Sequence, residues 1–428
     1  MKILIIGNGA REHVIAEKLA QDSDVYAIMS KKNPAIAKLC KNYWVANIED
    51  ANEVSRILTE SKEKFDLGFA SPDATLAAGI SDVMAEHGVL VASPSRKGSQ
   101  IEWDKSFMRM LMEKYAVKGQ IRHKVVKSKE EVELIIKEYQ MVAVKPLGLT
   151  GGKGVRVSKD HFPTVEDAIK YADEWLVKDG SVLIEEELIG EEFTFQAFSD
   201  GNKIESMPPV QDHKRAFVGD KGPNTGGMGS YSTGKLLPFL NQSDLDQAKE
   251  ILQEVVSALH KEGHTFVGVL YGQFMVTKDG PKVIEFNARF GDPEAMNVLS
   301  VLKTPLSRVF MSMAKGNLCK VEFEDRCTVL KYIVPDGYPD APRKDLEVLV
   351  MPSVARIYYA SVYEKDGNIF TTSSRAFGIL GVAETLEKAE RIAEEGCKLI
   401  KGPVWHREDI GTAALIQKRI EHMREIRG

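Results

Sequence analysis

The chain has 428 residues, which is too long for one compact core, so we expect roughly two to four domains. Lys and Arg number 57 and Asp and Glu number 62, and the net charge of −5 gives no support to binding of nucleic acid or of an acidic membrane surface. The four cysteines form no C-x-x-C pair, so neither a zinc site nor a disulfide framework is indicated. No apolar run approaches the roughly 20 residues that a membrane span requires, and the apolar run before Gly7 is too short for a signal peptide. The composition therefore predicts a cytoplasmic α/β protein.

The first hundred residues or so alternate short apolar strands with amphipathic helical segments. Strands are predicted at KILII (2–6), VYAIM (25–29), LGFA (67–70) and VLVA (89–92), with helical segments between them that include 51–62 and 76–87. This alternation is typical of a parallel sheet, on which ligands bind beyond the carboxyl ends of the strands. The candidate loops are therefore GNGAREH after the first strand and SPDATL (71–76) after the third.

The turn Gly7-Asn8-Gly9 resembles part of a dinucleotide-binding fingerprint. The third glycine is missing because residue 12 is Glu, and Lys31 and Lys32 stand where a carboxylate would hold a ribose. A nicotinamide-dependent dehydrogenase is therefore disfavoured. The turn still offers free backbone N–H groups at a helix N-terminus, which suit a phosphate.

From about residue 105 the regular alternation of strands and helices ends. The order of the predicted elements then indicates one α+β unit followed by a second α+β unit. Capping patterns predict helix starts at Ser128, Thr164 and Ser243, and the run 267–277 is predicted to pair in antiparallel fashion with 282–287. The remaining elements predicted are strands at 141–145, 155–158, 181–186 and 192–198, a hairpin turn at 198–203, a strand opening the last unit with CTVLKYIVP, and a helix from Thr385 to Ile400. We expect domains at 1–104, 105–323 (with a lid subdomain at 118–188) and 324–428.

The stretch VAVKPLGLTGGKGVRVS predicts a strand, a glycine-rich loop and a second strand. It is not a P-loop, because Gly154 follows Lys153 and no helix follows the loop. Such a loop suits phosphates through its backbone N–H groups, with Lys145 and Lys153 supplying positive charge, but a mobile hairpin loop with solvated lysines gives the same pattern.

Three adjacent carboxylates, Glu185, Glu186 and Glu187, follow a predicted strand. They repel one another, so a partner is expected to offset their charge. A connecting strand here suits an adenine edge and a ribose hydroxyl, whereas a solvated surface turn is the alternative interpretation.

The segment KVIEFNARFGDPEA places Glu285 and Asn287 on one face of a strand, with Gln273 on its predicted partner. Carboxylate and amide oxygens are ligands that Mg²⁺ prefers, so a metal–phosphate site is predicted in preference to a solvated polar face. Arg289, two residues further, is predicted on the same face, where it would hold a carboxylate or a phosphate.

The polar run 210–232 has no apolar periodicity and is predicted to be a functional loop or a disordered one. Within it, His213 is either a general base or only a hydrogen-bonding residue. The glycines of Gly226-Gly227-Met228-Gly229 permit backbone amides to surround an anion.

The stretches IGNGAREH, DHKRAFVGDKGPNTGGMGSYS and VIEFNARFGDPEA together resemble the phosphoribosylamine–glycine ligase (glycinamide ribonucleotide synthetase) family, and the middle of the chain resembles the wider ATP-grasp group. The resemblance runs from residue 1 to HREDIG (406–411). It implies an ATP-grasp fold between an N-terminal parallel-sheet domain and a small mixed C-terminal domain. It also implies ATP-dependent joining of glycine to 5-phosphoribosylamine through a glycyl phosphate, with ATP and Mg²⁺ or Mn²⁺, in purine biosynthesis.

By position, the resemblance assigns each kind of site. The catalytic residues it implies are Lys153, Asp212 and Arg289. Those implied to bind ATP are Lys105, Lys145, Gly151, Gly152, Lys153, Gly154, Glu185, Glu186, Glu187, Leu188 and Glu192. Those implied to bind substrate are Gly7, Asn8, Gly9, Arg11, Glu12, Asp73, Asp212, His213, Lys214, Asn224, Thr225, Gly226, Gly227, Met228, Arg289, Asp292 and Pro293. The implied metal ligands are Gln273, Glu285 and Asn287. The implied partners are small molecules, without nucleic acid or membrane, in a monomer or a dimer.

The chain departs from the usual family pattern at Ala10, at Ser71-Pro72-Asp73, at Pro146-Leu147 and at Ser373-Ser374. These departures fit either a divergent branch of the same enzyme or an ATP-grasp carboxylate–amine ligase with a different amine. A non-catalytic nucleotide-binding module would be expected to lack a phosphate lysine or a metal ligand, and Lys145, Lys153, Glu285 and Asn287 are all present.

Overall fold

The computed structural model describes residues 1–148 and 154–428. Its N-terminal part is a five-stranded parallel sheet with the strand order β3-β2-β1-β4-β5. The elements are β1 (Lys2–Ile6), α1 (Ala10–Leu19), β2 (Asp24–Met29), α2 (Pro34–Leu39), β3 (Asn42–Val45), α3 (Ala51–Glu60), β4 (Leu67–Ala70), α4 (Asp73–Ala77), α5 (Ile80–Glu86), β5 (Leu90–Val91) and α6 (Gln100–Trp103). The parallel sheet predicted from the sequence is confirmed. The helical segment predicted at 76–87 is divided, because Gly79 adopts φ +81° between α4 and α5.

A second unit, which we call the lid (residues 118–188), is a four-stranded antiparallel sheet with helices on it. After α7 (Lys105–Lys114), its elements are β6 (His123–Val126), α8 (Lys129–Tyr139), β7 (Val142–Lys145), β8 (Arg156–Val157), α9 (Ser158–His161), α10 (Val165–Asp179) and β9 (Val182–Glu186). The strand order is β6-β9-β7-β8. Ser128 and Thr164 cap α8 and α10 as predicted, since each side chain accepts a hydrogen bond from the backbone N–H three residues on.

The main sheet of the central region has the order β11-β10-β16-β17. This region contains β10 (Glu191–Asp200), β11 (Ile204–Ser206), β12 (Gln211–Asp212), β13 (Arg215–Phe217), β14 (Lys221–Asn224), β15 (Gly229–Ser232), α11 (Gln242–Lys261), β16 (Val267–Thr277), β17 (Gly280–Asn287), α12 (Glu294–Ser300) and α13 (Leu306–Ala314). The β16–β17 hairpin is antiparallel, as predicted. The cap predicted at Ser243 is wrong. The helix α11 is capped by Asn241, two residues before Ser243, and Asn241 forms a capping box with Asp244.

The C-terminal part contains a sheet with the order β12-β15-β18-β23-β20, in which β25 also pairs with β18. Its elements are β18 (Cys327–Pro335), β19 (Glu347–Val350), β20 (Arg356–Tyr359), β21 (Val362–Lys365), β22 (Asn368–Thr371), β23 (Phe377–Ala383), α14 (Leu386–Cys397), β24 (Ile400–Lys401), β25 (Val404–His406) and α15 (Ala413–Arg427). Because β12 and β15 come from the run 210–232, that run is folded into this sheet and is not a long loop. No helix within residues 1–148 and 154–428 is long and apolar enough to cross a membrane.

Candidate active site

A cavity of about 650 Å³ lies where the lid, the main sheet, the N-terminal part and the C-terminal part meet. It is lined by most of the predicted site residues: Arg11, Asp73, Lys105, Lys145, Glu185, Glu186, Glu187, Leu188, Glu192, Asp212, His213, Lys214, Asn224, Thr225, Gly226, Gln273, Glu285, Asn287, Arg289 and Asp292. Gly7, Asn8, Gly9, Glu12, Gly154, Gly227, Met228 and Pro293 are not among its lining residues. Gly151, Gly152 and Lys153 lie outside the described residues.

One end of the cavity combines apolar walls with buried ammonium groups. The walls come from the lid, through Ala143, Val157 and Leu188, and from Ile284 on the main sheet. Two buried lysines, Lys105 and Lys145, also line this end. Lys105 Nζ donates to Gly148 O at 3.1 Å, and burial lowers the pKa of Lys105. An apolar slot beside buried cations suits a base joined to phosphates.

Each of the three carboxylates at the end of β9 has its own partner within the protein. The buried Glu185 carboxylate forms ion pairs with Arg109 and Lys145, at 2.6 Å each. The carboxylates of Glu186 and Glu187 accept hydrogen bonds from backbone N–H groups of the lid, at 2.9 and 3.0 Å. The Glu185 side chain is therefore engaged within the protein by two cations. Arg109 was not predicted from the sequence.

Side chains whose oxygens could ligate a metal ion lie on neighbouring strands of the main sheet. Gln273 on β16 is the register partner of Glu285 on β17, and both line the cavity together with Asn287. Burial by itself raises the pKa of Glu285, but nearby lysine ammonium groups, Lys214 first, outweigh it and lower that pKa below its usual value. No cluster of three or more His, Cys, Asp or Glu residues suited to a metal is found in the described part of the chain. A corner with one carboxylate and two amides nevertheless fits Mg²⁺, which takes one or two protein carboxylates and completes its shell with phosphate and water.

Arg289 lies in a bend beyond β17, because the strand ends at Asn287. Its predicted place on the strand face is therefore wrong, although it lines the same cavity. Its Nη2 atom is 2.8 Å from Oε1 of Glu102 and donates to Oδ1 of Asn287 at 3.3 Å. Burial lowers the pKa of Arg289, but Glu102 and Asp73 outweigh it and raise that pKa. Part of the guanidinium is thus already engaged by Glu102, a buried residue that the sequence did not single out.

Two of the backbone N–H groups in the turn after β1, those of Gly7 and Gly9, are engaged within the protein. Gly7 N donates to Ile28 O at 3.0 Å, and Gly9 N donates to Glu12 Oε2 at 2.6 Å. Glu12 therefore places its own carboxylate at the N-terminus of α1, and its other oxygen is 2.7 Å from Arg11 Nε. Arg11, and not the glycine turn, reaches the cavity.

The loop after β14 is held by the C-terminal part of the chain. Arg375 Nη1 donates to Gly226 O at 2.6 Å and to Gly227 O at 2.8 Å, and Nη2 is 3.3 Å from Asp292 Oδ2. Gly227 has φ +106°, and a Cβ atom there would lie 2.6 Å from Asp212 Oδ1, so glycine is required. Arg375 also lines the cavity, and its role in this site was not predicted.

Asp212 and His213 differ in environment although they are adjacent. Burial, and then the nearby Glu294 carboxylate, raise the pKa of Asp212. Burial lowers the pKa of His213 to about 3, so its ring is neutral, and neither ring nitrogen has a hydrogen-bond partner within the described residues. Glu294, which was not predicted, is buried and accepts hydrogen bonds from the hydroxyls of Thr194 and Tyr271 at 3.0 and 2.9 Å.

Two antiparallel sheets, the lid and the main sheet, thus border a cavity with buried lysines, an apolar slot and an oxygen-donor corner. This fold and site define an enzyme of the ATP-grasp class. Family models of phosphoribosylglycinamide synthetase match the chain in three parts: the N domain at residues 1–102, the ATP-grasp (A) domain at 103–295 and the C domain at 328–413. The chain belongs to the phosphoribosylglycinamide synthetase family.

Individual relatives support the same family assignment over nearly the full length of the chain. It is similar to the phosphoribosylamine–glycine ligase of Methanosarcina barkeri, at 50% identity over 437 residues with 100% of both chains covered. The same enzyme of Thermococcus kodakarensis is 45% identical over 436 residues, again with 100% of both covered. The crystal structure of phosphoribosylamine–glycine ligase from Thermotoga maritima has a TM-score of 0.81 at 28% identity and covers 96% of this chain and 100% of that chain. The biotin carboxylase domain of 2-oxoglutarate carboxylase from Hydrogenobacter thermophilus shares the fold, with a TM-score of 0.72 at 16% identity over 99% of this chain and 93% of that one.

Proposed function

We propose that this chain joins the carboxyl group of glycine to the amine of 5-phosphoribosylamine, with ATP as the energy source, in purine biosynthesis. The products are glycinamide ribonucleotide, ADP and phosphate. The observation that carries the proposal is the meeting of Lys145, Glu285, Asp212 and Arg289 in one cavity of a chain that belongs to this family. A carboxylate is a poor acyl donor, and ATP converts it to a glycyl phosphate whose leaving group is phosphate.

The nucleotide is proposed to lie between the lid and the main sheet. Its base occupies the apolar slot beside Leu188 and Ile284, with the backbone of 185–188 along its edge. Lys105 and Lys145 bind the phosphates as buried cations, and Lys153, which lies outside the described residues, is proposed as a further cation for them. Glu192 accepts a hydrogen bond from a ribose hydroxyl.

The oxygen-donor corner is proposed to hold Mg²⁺ or Mn²⁺ through Glu285 and Asn287, with Gln273 as a further ligand. Such an ion, when bound, neutralises charge on the transferring phosphoryl group. Within the described residues, the side-chain amide oxygens of Gln273 and Asn287 accept only long hydrogen bonds, at 3.3 Å from Tyr271 and from Arg289 respectively, which leaves these oxygens available to a metal ion.

Glycine is proposed to bind beside Arg289, which orients the glycine carboxylate toward the phosphate end of the cavity. Asp212 lies on the same cavity and holds the amine end of glycine or of the second substrate. The phosphoribosyl group is proposed to lie toward Arg11, Asp73 and the loop of Asn224 to Gly226. Closure of the lid over these groups excludes water, to which a glycyl phosphate would otherwise be lost.

An ATP-grasp ligase that takes a different amine is the second candidate, favoured by one observation. Asp73 stands where family members usually have glutamate, and Asp73 lines the part of the cavity proposed for the phosphoribosyl group of the amine substrate. Burial by itself raises the pKa of Asp73, but Arg289 and Arg11 outweigh it and lower that pKa, so the carboxylate stays charged.

The two candidates are separated by measuring phosphate release from MgATP with glycine, with and without freshly generated 5-phosphoribosylamine. Release that requires both substrates supports the first candidate. Release with glycine that is indifferent to 5-phosphoribosylamine contradicts it and favours the second. No release under any condition contradicts both.

Other features of the protein are proposed on the same basis. We propose domains at 1–104, 105–323 and 324–428, testable by limited proteolysis. The preference for Mg²⁺ or Mn²⁺ is tested by metal titration of turnover. The oligomeric state, monomer or dimer, is tested by sedimentation, and the cytoplasmic location by cell fractionation.

A further inference from the structure

We propose that Arg109 is a positioning residue that keeps the Lys145 ammonium in place and its positive charge available to the phosphates of ATP. The proposal rests on the proposed function, which assigns Lys145 to those phosphates. Lys145 lines the cavity, whereas Arg109 is not among its lining residues. Arg109 therefore acts through its neighbours and not by contact with a substrate.

One carboxylate bridges the two cations. Arg109 Nε is 2.6 Å from Oε1 of Glu185, and Lys145 Nζ is 2.6 Å from Oε2 of the same carboxylate. The three side chains are only 2%, 7% and 1% exposed for Arg109, Lys145 and Glu185. They form what we call the hinge triad, which has a formal charge of +1 and faces the cavity through Lys145 and Glu185 but not through Arg109.

Arg109 also fixes the hinge triad to the strand that carries the proposed metal ligand. Its Nη2 atom donates to the carbonyl oxygens of Val283 and Ile284 at 3.1 Å each. Lys145 Nζ donates to the same Ile284 carbonyl at 3.4 Å. One guanidinium thus joins α7, the lid strand β9 and the main-sheet strand β17 at the boundary between lid and main sheet.

The charges of the hinge triad explain why a second cation is needed. Burial by itself raises the pKa of Glu185, but Arg109 and Lys145 outweigh it and lower that pKa, so the carboxylate is ionised. Without Arg109, this carboxylate would neutralise Lys145 alone, and the pair would carry no net charge toward a polyphosphate. In a buried site such charge differences act strongly, because little water screens them. Arg109 thus satisfies Glu185 and releases part of the Lys145 charge for the ligand.

A purely structural role for Arg109 makes a different prediction, and a double substitution separates the two. Arg109→Met leaves Glu185 and Lys145 with no net charge. Adding Glu185→Gln to Arg109→Met restores a charge of +1, although it removes one more buried ion pair. If Arg109 only stabilised the core, the double variant would be no better than the single variant.

The experiment measures the dissociation constant of MgATP by calorimetry, the KM values for ATP and glycine, and the melting temperature. Arg109→Met is expected to weaken MgATP binding by at least about tenfold with a small change in the glycine KM. Arg109→Met/Glu185→Gln, which restores the charge of +1, is expected to bind MgATP more tightly than Arg109→Met. Arg109→Lys, which keeps that charge and leaves Glu185 in place, is expected to bind MgATP within about threefold of the wild type. Lys114→Met is the matched control, because Lys114 pairs with Glu262 on the exposed side of the same helix.

Normal MgATP binding by folded Arg109→Met would overturn the proposal, and so would a double variant that binds no better than the single one. If Arg109→Met does not fold, Arg109→Lys decides, since a tenfold loss of MgATP binding in folded Arg109→Lys contradicts the charge argument. Failure of the proposed function is distinguishable from these results. It would show as wild-type protein that binds MgATP but releases no phosphate with glycine and 5-phosphoribosylamine.

Discussion

Glu102 and Arg289 form a buried ion pair, with 2.8 Å between Glu102 Oε1 and Arg289 Nη2. Glu102 lies on α6, the last helix of the N-terminal part of the chain, and its second oxygen accepts a hydrogen bond from Ala288 N at 2.8 Å. The pair therefore ties the N-terminal part to the bend that carries Arg289. Because Arg289 is the proposed carboxylate-binding residue, Glu102 fixes the guanidinium that glycine would meet.

Glu102→Gln is predicted to lower both stability and affinity for glycine. The substitution leaves a buried guanidinium without its carboxylate, a change that typically costs about 3–5 kcal/mol. Denaturant unfolding measures the stability, and steady-state kinetics is expected to give a raised glycine KM with a small change in the ATP KM. Unchanged stability together with an unchanged glycine KM would show that Glu102 does not hold Arg289.

Glu285→Gln is predicted to lower kcat by about a hundredfold or more, because a neutral amide replaces the one carboxylate among the proposed metal ligands. The direct readout besides turnover is Mn²⁺ binding in the presence of ATP, which is expected to weaken. Glu205→Gln on β11 is the control, since Glu205 lies on the same sheet and is not among the residues that line the cavity. Near-normal turnover and Mn²⁺ binding in Glu285→Gln would refute the metal assignment.

Acid is predicted to destabilise the protein through His213. Burial lowers the His213 pKa to about 3 in the folded state, from an ordinary value of 6.5. The unfolded chain therefore binds a proton that the folded chain refuses, and the stability is lost as the pH falls from about 6.5 toward 3. The slope for one such proton is about 1.4 kcal/mol per pH unit.

The test compares unfolding free energies of the wild type and His213→Phe between pH 7 and pH 4. The wild type is expected to lose more stability than the variant over this range. Replacement of the exposed His87 by Phe serves as the control and is expected to leave the wild-type slope unchanged. Equal slopes for the wild type and His213→Phe would contradict the neutral buried ring.

Local pattern was sufficient for most strands but not for elements defined by distant partners. The alternation of apolar residues predicted β16 and β17 and their antiparallel pairing. It missed β3, a partly exposed edge strand, and α15, which packs against β10 and β16 from far along the chain. It also predicted a loop at 210–232, because β12 and β15 are short and β18, the strand that joins them to the rest of the sheet through β15, lies about a hundred residues away in the chain.

The site shows the same limit. Residues with a chemical pattern, such as Glu285 and Asn287, were found from spacing on one strand. Arg109 and Arg375 were missed as site residues, because Arg109 meets Glu185 across 76 residues and Arg375 meets Gly226 across 149. A faint signal was present for Arg109, which lies among Phe107, Met108, Leu111 and Met112 on a helix where a solvated charge is unexpected.

The most direct test of the proposed chemistry follows the oxygen atoms of glycine. Glycine labelled with ¹⁸O in its carboxyl group is incubated with MgATP, the enzyme and freshly generated 5-phosphoribosylamine, and the products are analysed by mass spectrometry. The account predicts glycinamide ribonucleotide together with inorganic phosphate that carries one ¹⁸O atom per molecule formed. Phosphate without ¹⁸O, or phosphate released without glycinamide ribonucleotide, would contradict it.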